Sequence, residues 1–391
     1  MFNLKTLKYS WSEFISHFQI NSNPLKPLEI ILSISKLLGL WIIKDSSWKY
    51  IFFGLNIGVL FIIPNIALQL SLTRQIKNVT QLTAFLAIFI NFISVLFEIF
   101  MFYYHIKKIK CLIEKIKSCI QDFKVNEILL KRAIEMNKIL KVLLFFIEML
   151  LITSFISSIL NHKTILLMWM PLDLEITNNY WIIFFYHLIG CSFFVHINVT
   201  LVIIPSYFMV YIFGFLEQLC DRLENIKKHK FSNMRRIDID NEKELIKCIK
   251  LHNKICAVNE KVNDMLSVIF LARAFWTSVL ICTMCFLMIT VTDIVILTQY
   301  SFYTAFVFFQ LIIPCYYGEK ITEMSNKISQ TIAHSEWMLE GKKYQQNIKI
   351  MMAFTKKPMK ITSFRLFDIN MENYGRVCNW AYSLLTLFLN L

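Results

Sequence analysis

Four ionisable residues, Glu98, Glu148, Arg273 and Asp293, stand within or beside long apolar runs of this 391-residue chain. A charge at the centre of a membrane-spanning helix costs about 2.5–3.5 kcal/mol on insertion scales, so such residues mark ion pairs, proton paths or ion paths. Glu148 lies 9 residues into one run and Arg273 lies 7 into another. Both runs are entered from the same side, so the two depths match; pairing as a buried link is one expectation, and each side chain facing water independently is the other. Other chemistry finds little support. No GxxxxGK[ST], GxGxxG, HExxH or GxSxG occurs, which removes phosphate cradles and the commoner zinc and hydrolase motifs. Only His187 and His196 of the eight histidines sit well inside an apolar run. Cys282 and Cys285 have CxxC spacing, but at i and i+3 of an apolar helix they share one packed face, where thiols act as small apolar side chains. Gly54 and Gly58 form a GxxxG, a site for close helix approach. No catalytic residue, metal or cofactor is expected.

The elements that hold these residues follow from composition. Hydrophobic residues make up 56% of the chain and charged residues 17%, with 35 Phe, whereas soluble domains carry about 25% charged residues. A spanning helix needs about 20 apolar residues, and seven windows approach that length: Ile51–Leu72, Leu82–Tyr104, Ile139–Leu160, Trp181–Leu216, Leu266–Val291, Ser301–Tyr317 and Arg376–Leu391. The sequence therefore predicts an all-α membrane protein with seven transmembrane helices. Lys and Arg fall 35 on one side of these spans and 3 on the other. The positive-inside bias puts the N-terminus in the cytoplasm and Leu391 outside. The same asymmetry accounts for the net charge of +14 through anionic lipid, and nucleic acid is not needed as a partner. No signal peptide is expected. The sequon Asn78-Val79-Thr80 lies in the first outer loop as a glycosylation candidate at Asn78, and none of the ten Cys lies in an outer loop, so no outer disulfide is expected. Seven-helix receptors coupled to G proteins place the N-terminus outside, which conflicts with this count. A secondary transporter tends to show paired Gly/Pro-broken helices in two halves; Pro64, Pro205 and Pro314 show no such symmetry.

Beyond the bilayer, Leu28, Ile31, Leu38 and Trp41 share a face of an expected interfacial helix over Leu25–Trp41. Leu216, Leu219, Leu223 and Ile226 form an apolar stripe after the fourth span, and Leu245, Ile249, His252 and Ile255 form another. Lipid is absent at that depth, so both must be covered by protein, either by each other or by another subunit. With long cytoplasmic connections at 105–138, 217–264 and 318–370, the chain is expected to build a helical cytoplasmic base that doubles as an assembly surface. The expected divisions are a cytoplasmic N-terminal segment (1–50), spans one to six with their extensions (51–317), cytoplasmic helices (318–370) and a last helix (371–391).

The C-terminal run Cys315-Tyr316-Tyr317-Gly318-Glu319, then Ser325, Ser335-Glu336-Trp337, Lys357-Pro358, Ile361-Thr362 and Ala381-Tyr382-Ser383, resembles the signature of insect odorant receptors. His334 stands where that family usually has Tyr, and Phe364 where Gly is common. The chain lacks the Gln-Phe ending of the related gustatory receptors, whose receptor channels are the nearest alternative, and it is shorter than the family's co-receptor. It thus looks like an odour-tuning subunit. The resemblance implies a ligand-gated, non-selective cation channel, formed as a hetero-oligomer, a tetramer, with that co-receptor in the cell membrane of a sensory dendrite. It also implies a pore lined by the last span. Hydrophobic gate positions fall on Leu385 and Leu389, stacked at i and i+4, with Thr386 a polar neighbour and Phe388 where the co-receptor has an amide. The family's ligand lies in the outer half of the bundle. Placed there by topology are Phe85, Phe89 and Phe92 of the second span, Ser154, Phe155 and Ser158 of the third, Tyr186, His187, Gly190, Cys191 and Phe194 of the fourth, and Thr283, Phe286 and Thr290 of the fifth. An aromatic wall with a few hydroxyls and one imidazole suits a small neutral volatile such as a terpenoid or ester.

Overall fold

The computed structural model describes residues 24–40, 61–72, 76, 78–122, 127–161, 164, 166, 177–228, 234–364 and 366–389. Its helices are α1 (Lys26–Leu37), α2 (Ile63–Leu72), α3 (Val79–Tyr104), α4 (Ile106–Asp122), α5 (Glu127–Asn161), α6 (Thr177–Lys228), α7 (Met234–Thr290), α8 (Ile294–Ala333), α9 (Lys342–Thr355) and α10 (Met371–Leu389). A two-residue hairpin, β1 (Thr362–Ser363) with β2 (Phe367–Asp368), precedes α10. Helices α3, α5, α6, α7 and α8 are long and apolar enough to cross a membrane, consistent with the expected seven once α2 and α10 are added. Residues 51–60 of the first expected span, including Gly54 and Gly58, lie outside the described residues, as do Trp41, Asn390 and Leu391. The observed helices run past the expected windows because the same helical pattern continues into water. Thus α5 begins at Glu127, α7 at Met234 and α10 at Met371.

Helix α6 is the central post. Tyr207, Phe208, Tyr211 and Phe215 are fully buried on successive turns, and α1, α5, α7 and α8 all pack on it. A helix apolar all round requires such a surround. Pro205 lacks a donor but sits within that surround, where the lost ladder bond is tolerated. Below the membrane the two expected stripes are covered within the chain: Leu216, Leu219, Leu245 and Ile255 are completely buried where α6 and α7 pack together. In water each such side chain stabilises the base by roughly 1.5–3 kcal/mol. Helix α4 lays its apolar face, Ile109, Leu112, Ile116 and Ile120, against α7 and turns its lysines outward; Lys254 of α7 pairs with Asp122 of α4. The face of α1 carrying Leu28 and Ile31 is turned into protein, chiefly α6, and Tyr211 Oη donates to Pro24 O (2.8 Å).

The C-terminal signature proves to be a joint. Gly318 on α8 leaves room for backbone, since a Cβ there would lie 2.0 Å from Ile369 O. The Glu319 carboxylate accepts the Met371 N–H (3.1 Å) at the first turn of α10, and Ser325 Oγ accepts the Met359 N–H (2.9 Å). On the other side Asn259 donates to Lys360 O (3.3 Å), Asn263 Oδ1 accepts from Thr362 N (2.7 Å), and Ser267 O accepts from Ser363 Oγ (2.8 Å). These three residues are spaced i, i+4, i+8 along one face of α7, so α7 and α8 grip the hairpin from which α10 leaves.

Candidate functional site

The expected ligand residues fall into three groups. In the first, Phe92 of α3 and Phe194 of α6 have ring centroids 4.5 Å apart. Phe61, just before α2, lies 6.2 Å from Phe92 and 5.5 Å from Tyr186. Its ring occupies the space over Gly190, where a Cβ would come within 1.8 Å of Phe61 Cδ2. Tyr186 Oη accepts from Asn65 Nδ2 (3.2 Å). His187 and Cys191 are buried beside them on α6, the imidazole with no exposure at all and no partner for either nitrogen among the described residues. An unpaired buried polar group costs about 1–3 kcal/mol. No charged residue belongs to this group.

The second group joins α5 to α6. Ser158 and Tyr180 are buried together, Tyr180 Oη donating to Ser158 O (2.9 Å), and Phe155 stands 6.2 Å from Phe184. Ser154 is buried, its hydroxyl returned to Leu150 O (2.7 Å). The third lies where α3, α7 and α8 meet. Thr283 and Phe286 are buried on α7, near a core of Ala87, Met284 and Leu287 packed by Tyr300 and Tyr303 of α8. Phe85 and Phe89 stack at 5.5 Å on α3. Thr290 is exposed at the end of α7, its hydroxyl returned to Phe286 O (3.2 Å), and stands apart from the rest.

Beside the first group, Gln310 of α8 donates to Asn198 of α6 (2.7 Å), and Asn198 donates to Asn91 of α3 (3.5 Å). The expected Glu148–Arg273 pair does not form. Arg273 instead grips Glu98 of α3 with both ends of its fork, Nε to Oε1 at 3.0 Å and Nη2 to Oε2, with side chains only 5% and 8% exposed. Glu148 faces His196 at 3.5 Å and is 54% exposed. Equal depth fixes height in the bundle but not azimuth, and α7 packs along α3. A cavity of about 20 Å³, lined by Glu98, Phe102, His105, Pro205, Phe208 and Leu266 among others, adjoins the pair. That is room for about one water. Asp293 caps α8, its Oδ1 accepting the Val295 N–H (2.8 Å).

On α10, Leu385 and Thr386 are half-buried, Thr386 Oγ1 bonds Ser383 O (2.8 Å), and Leu389 is exposed; the Phe388 side chain lies outside the described residues. Asn78 is exposed immediately before α3. Sequence reasoning missed Phe61, Asn65 and Gln69 of the first span, Tyr180, and Tyr300 with Tyr303. Asn65 and Gln69 carried a readable signal, two amides at i and i+4 within an apolar span.

Among the described residues, five helices long and apolar enough to cross a membrane mark a multi-pass membrane protein. The family model described as 7tm Odorant receptor matches residues 78–382, and the chain belongs to that family. Among curated relatives, Odorant receptor 94a of Drosophila melanogaster is 22% identical over 57% of this chain, and Odorant receptor 33a is 25% identical over 57%. Those matches span 57% and 58% of the relatives' own lengths. Odorant receptor Or1 of Anopheles gambiae is 20% identical over 90% of this chain and 92% of its own. Among solved structures, the insect olfactory receptor OR5 from Machilis hrabei shares the fold at a TM-score of 0.77 and 13% identity, covering 93% of this chain and 97% of that one. Its complex with eugenol gives 0.74 and 14%, covering 94% and 97%. Its relatives are receptors, not enzymes.

Proposed function

We propose that the chain is an odour-tuning subunit of a ligand-gated, non-selective cation channel, assembled as a tetramer with the odorant receptor co-receptor in the cell membrane of sensory dendrites. The observation that carries this reading is the wholly buried His187, with no partner for either nitrogen among the described residues, next to Tyr186, whose ring belongs with those of Phe61, Phe92 and Phe194 to a setting rich in ring faces. Such a site suits a small neutral volatile. The eugenol complex of the OR5 receptor supports ligand binding in this fold.

Coupling to a pore has a physical route. Helix α8 carries Tyr300 and Tyr303 at the ligand end, Gln310 in the middle, and at its base the Glu319 carboxylate that holds the first turn of α10. A volatile that binds more tightly when α8 sits in its open position shifts the population toward an open pore. Leu385 and Leu389 close that pore by dewetting when the helices approach. The exposed Met338, Leu339, Ile350 and Phe354 of the base supply an apolar surface for neighbouring subunits.

The test is electrical. The chain is expressed with the co-receptor in cells lacking G-protein signalling, and a volatile panel is applied. Odour-evoked cation current is expected. Tyr186→Ala is expected to move half-maximal concentrations by about ten-fold, from the lost hydrogen bond and packing, with surface assembly kept; Leu385→Ala raises resting leak. A Tyr186→Ala receptor with every dose–response curve unmoved would remove the site from this location.

A further inference from the structure

Resting on that reading, we propose that Asn65, Gln69 and His187 form a polar subsite between α2 and α6 that takes the hydroxyl group of a neutral alcohol or phenol. The face of α2 concerned is fixed by contacts. Phe61 lies on Gly190 of α6, and one turn later Asn65 Nδ2 reaches Tyr186 Oη. Gln69 follows one turn further on the same face. Asn65 and Gln69 both have zero exposure, as does His187, the next residue after Tyr186.

These three side chains hold more hydrogen-bonding capacity than the protein meets. Asn65 Nδ2 donates to Phe61 O (2.6 Å) as well as to Tyr186, while Asn65 Oδ1 is unpartnered. Neither atom of the Gln69 amide and neither nitrogen of His187 has a partner among the described residues. Native proteins satisfy nearly all such buried groups, so three side chains left short, two of them a turn apart on α2 and one next to Tyr186 on α6, read as a set awaiting a ligand.

The inventory selects the ligand's chemistry. Unmet acceptors are Asn65 Oδ1, Gln69 Oε1 and one imidazole nitrogen; unmet donors are the Gln69 amide and the other imidazole nitrogen. An ester or ketone offers only acceptors and strands both amide oxygens. A hydrocarbon meets none of them. A hydroxyl donates one bond and accepts another, so it serves both halves of the set. A site built to hydrogen-bond a hydroxyl discriminates strongly against the analogue that lacks its proton, because protein groups are then left unpaired.

The experiment compares matched volatiles on the full receptor with its co-receptor: 2-phenylethanol against its methyl ether, and 4-ethylphenol against 4-ethylanisole. The wild type is expected to prefer the hydroxyl member of a pair by about ten-fold or more in half-maximal concentration. Gln69→Met and Asn65→Leu bring the two members to near parity while the ether response stays in place. Equal wild-type potency for both members, or a Gln69→Met shift that moves both by the same factor, overturns the proposal. A second measurement guards against misfolding. Gln69→Met removes an unpaired buried amide, so the purified, ligand-free variant is expected to melt at or above the wild-type temperature; a clear fall means that the amide is already satisfied, and overturns the proposal. If no volatile evokes current, the channel reading fails by itself. The subsite is then decided by thermal shift: stabilisation of the wild type by 2-phenylethanol but not its ether, abolished in Gln69→Met, upholds it, and no difference between the two compounds overturns it.

Discussion

Breaking the Glu98–Arg273 pair should cost more than breaking any other ion pair named above. The fork is bidentate, with Nε and Oε1 3.0 Å apart and both side chains over nine-tenths buried. At that separation two unit charges attract by about 5 kcal/mol in an effective dielectric of about 20. Much of that offsets desolvation, so the informative quantity is what happens when one partner is left alone, about 3–5 kcal/mol for a buried pair. Arg273→Met and Glu98→Leu are each expected to lower the thermal midpoint of the purified receptor by something on the order of 5 °C and to reduce surface labelling. The double variant Glu98→Leu/Arg273→Met leaves no stranded charge and is expected to return near wild type. Glu148→Gln serves as the control. Its partner His196 is 3.5 Å away and the carboxylate is 54% exposed, so the loss is under about 1 kcal/mol. Fluorescence-detected size exclusion after heating, with surface biotinylation, reads all four. Single variants that melt within a degree of wild type, or a double variant worse than either single, would refute the assignment of the pair as the bundle's internal clamp.

Other consequences are open to the same assays. Phe364 has φ 50° in the turn between β1 and β2 and is half exposed; Phe364→Gly relieves left-handed strain of about 1–2 kcal/mol, partly offset by glycine's freedom in the unfolded chain, and is expected to raise the midpoint. Gly318→Ala puts a Cβ 2.0 Å from Ile369 O, which is backbone; the hairpin must move, at about 1–3 kcal/mol, and both surface expression and gating should suffer, whereas wild-type currents would refute the joint. Burial, and secondarily Lys108, holds the His105 imidazole below the ordinary histidine range. The unfolded chain therefore takes up the proton first, and stability is lost as pH falls from about 6.5, the free histidine value, toward the lowered folded one. His105→Phe should flatten melting temperature against pH across that interval.

How far the sequence reached differs from element to element. Which segments form long helices was legible, because runs of about 20 apolar residues can be read directly from the chain. The stripes on α6 and α7 were legible too, since an apolar face in water must be covered and Leu219 and Leu245 are indeed completely buried. The Glu148–Arg273 expectation went wrong at the step from depth to neighbour. Phe364 was noticed as a departure from a common Gly, and the positive φ supplies the reason that glycine suits the position.

Sequence by itself determined that this is an all-helical membrane chain, how its helices follow one another, and through its C-terminal residues which family it resembles. Those properties depend on composition, periodicity and short motifs, which are local and add along the chain. Tertiary structure alone decided that Arg273 meets Glu98, that Phe61 lies over Gly190, that Asn65 of the first span reaches Tyr186 of α6, and that the expected ligand residues split among three helix interfaces. A helix presents its side chains all round its axis, and which face meets which neighbour depends on close packing with distant parts of the chain, a property no local pattern carries.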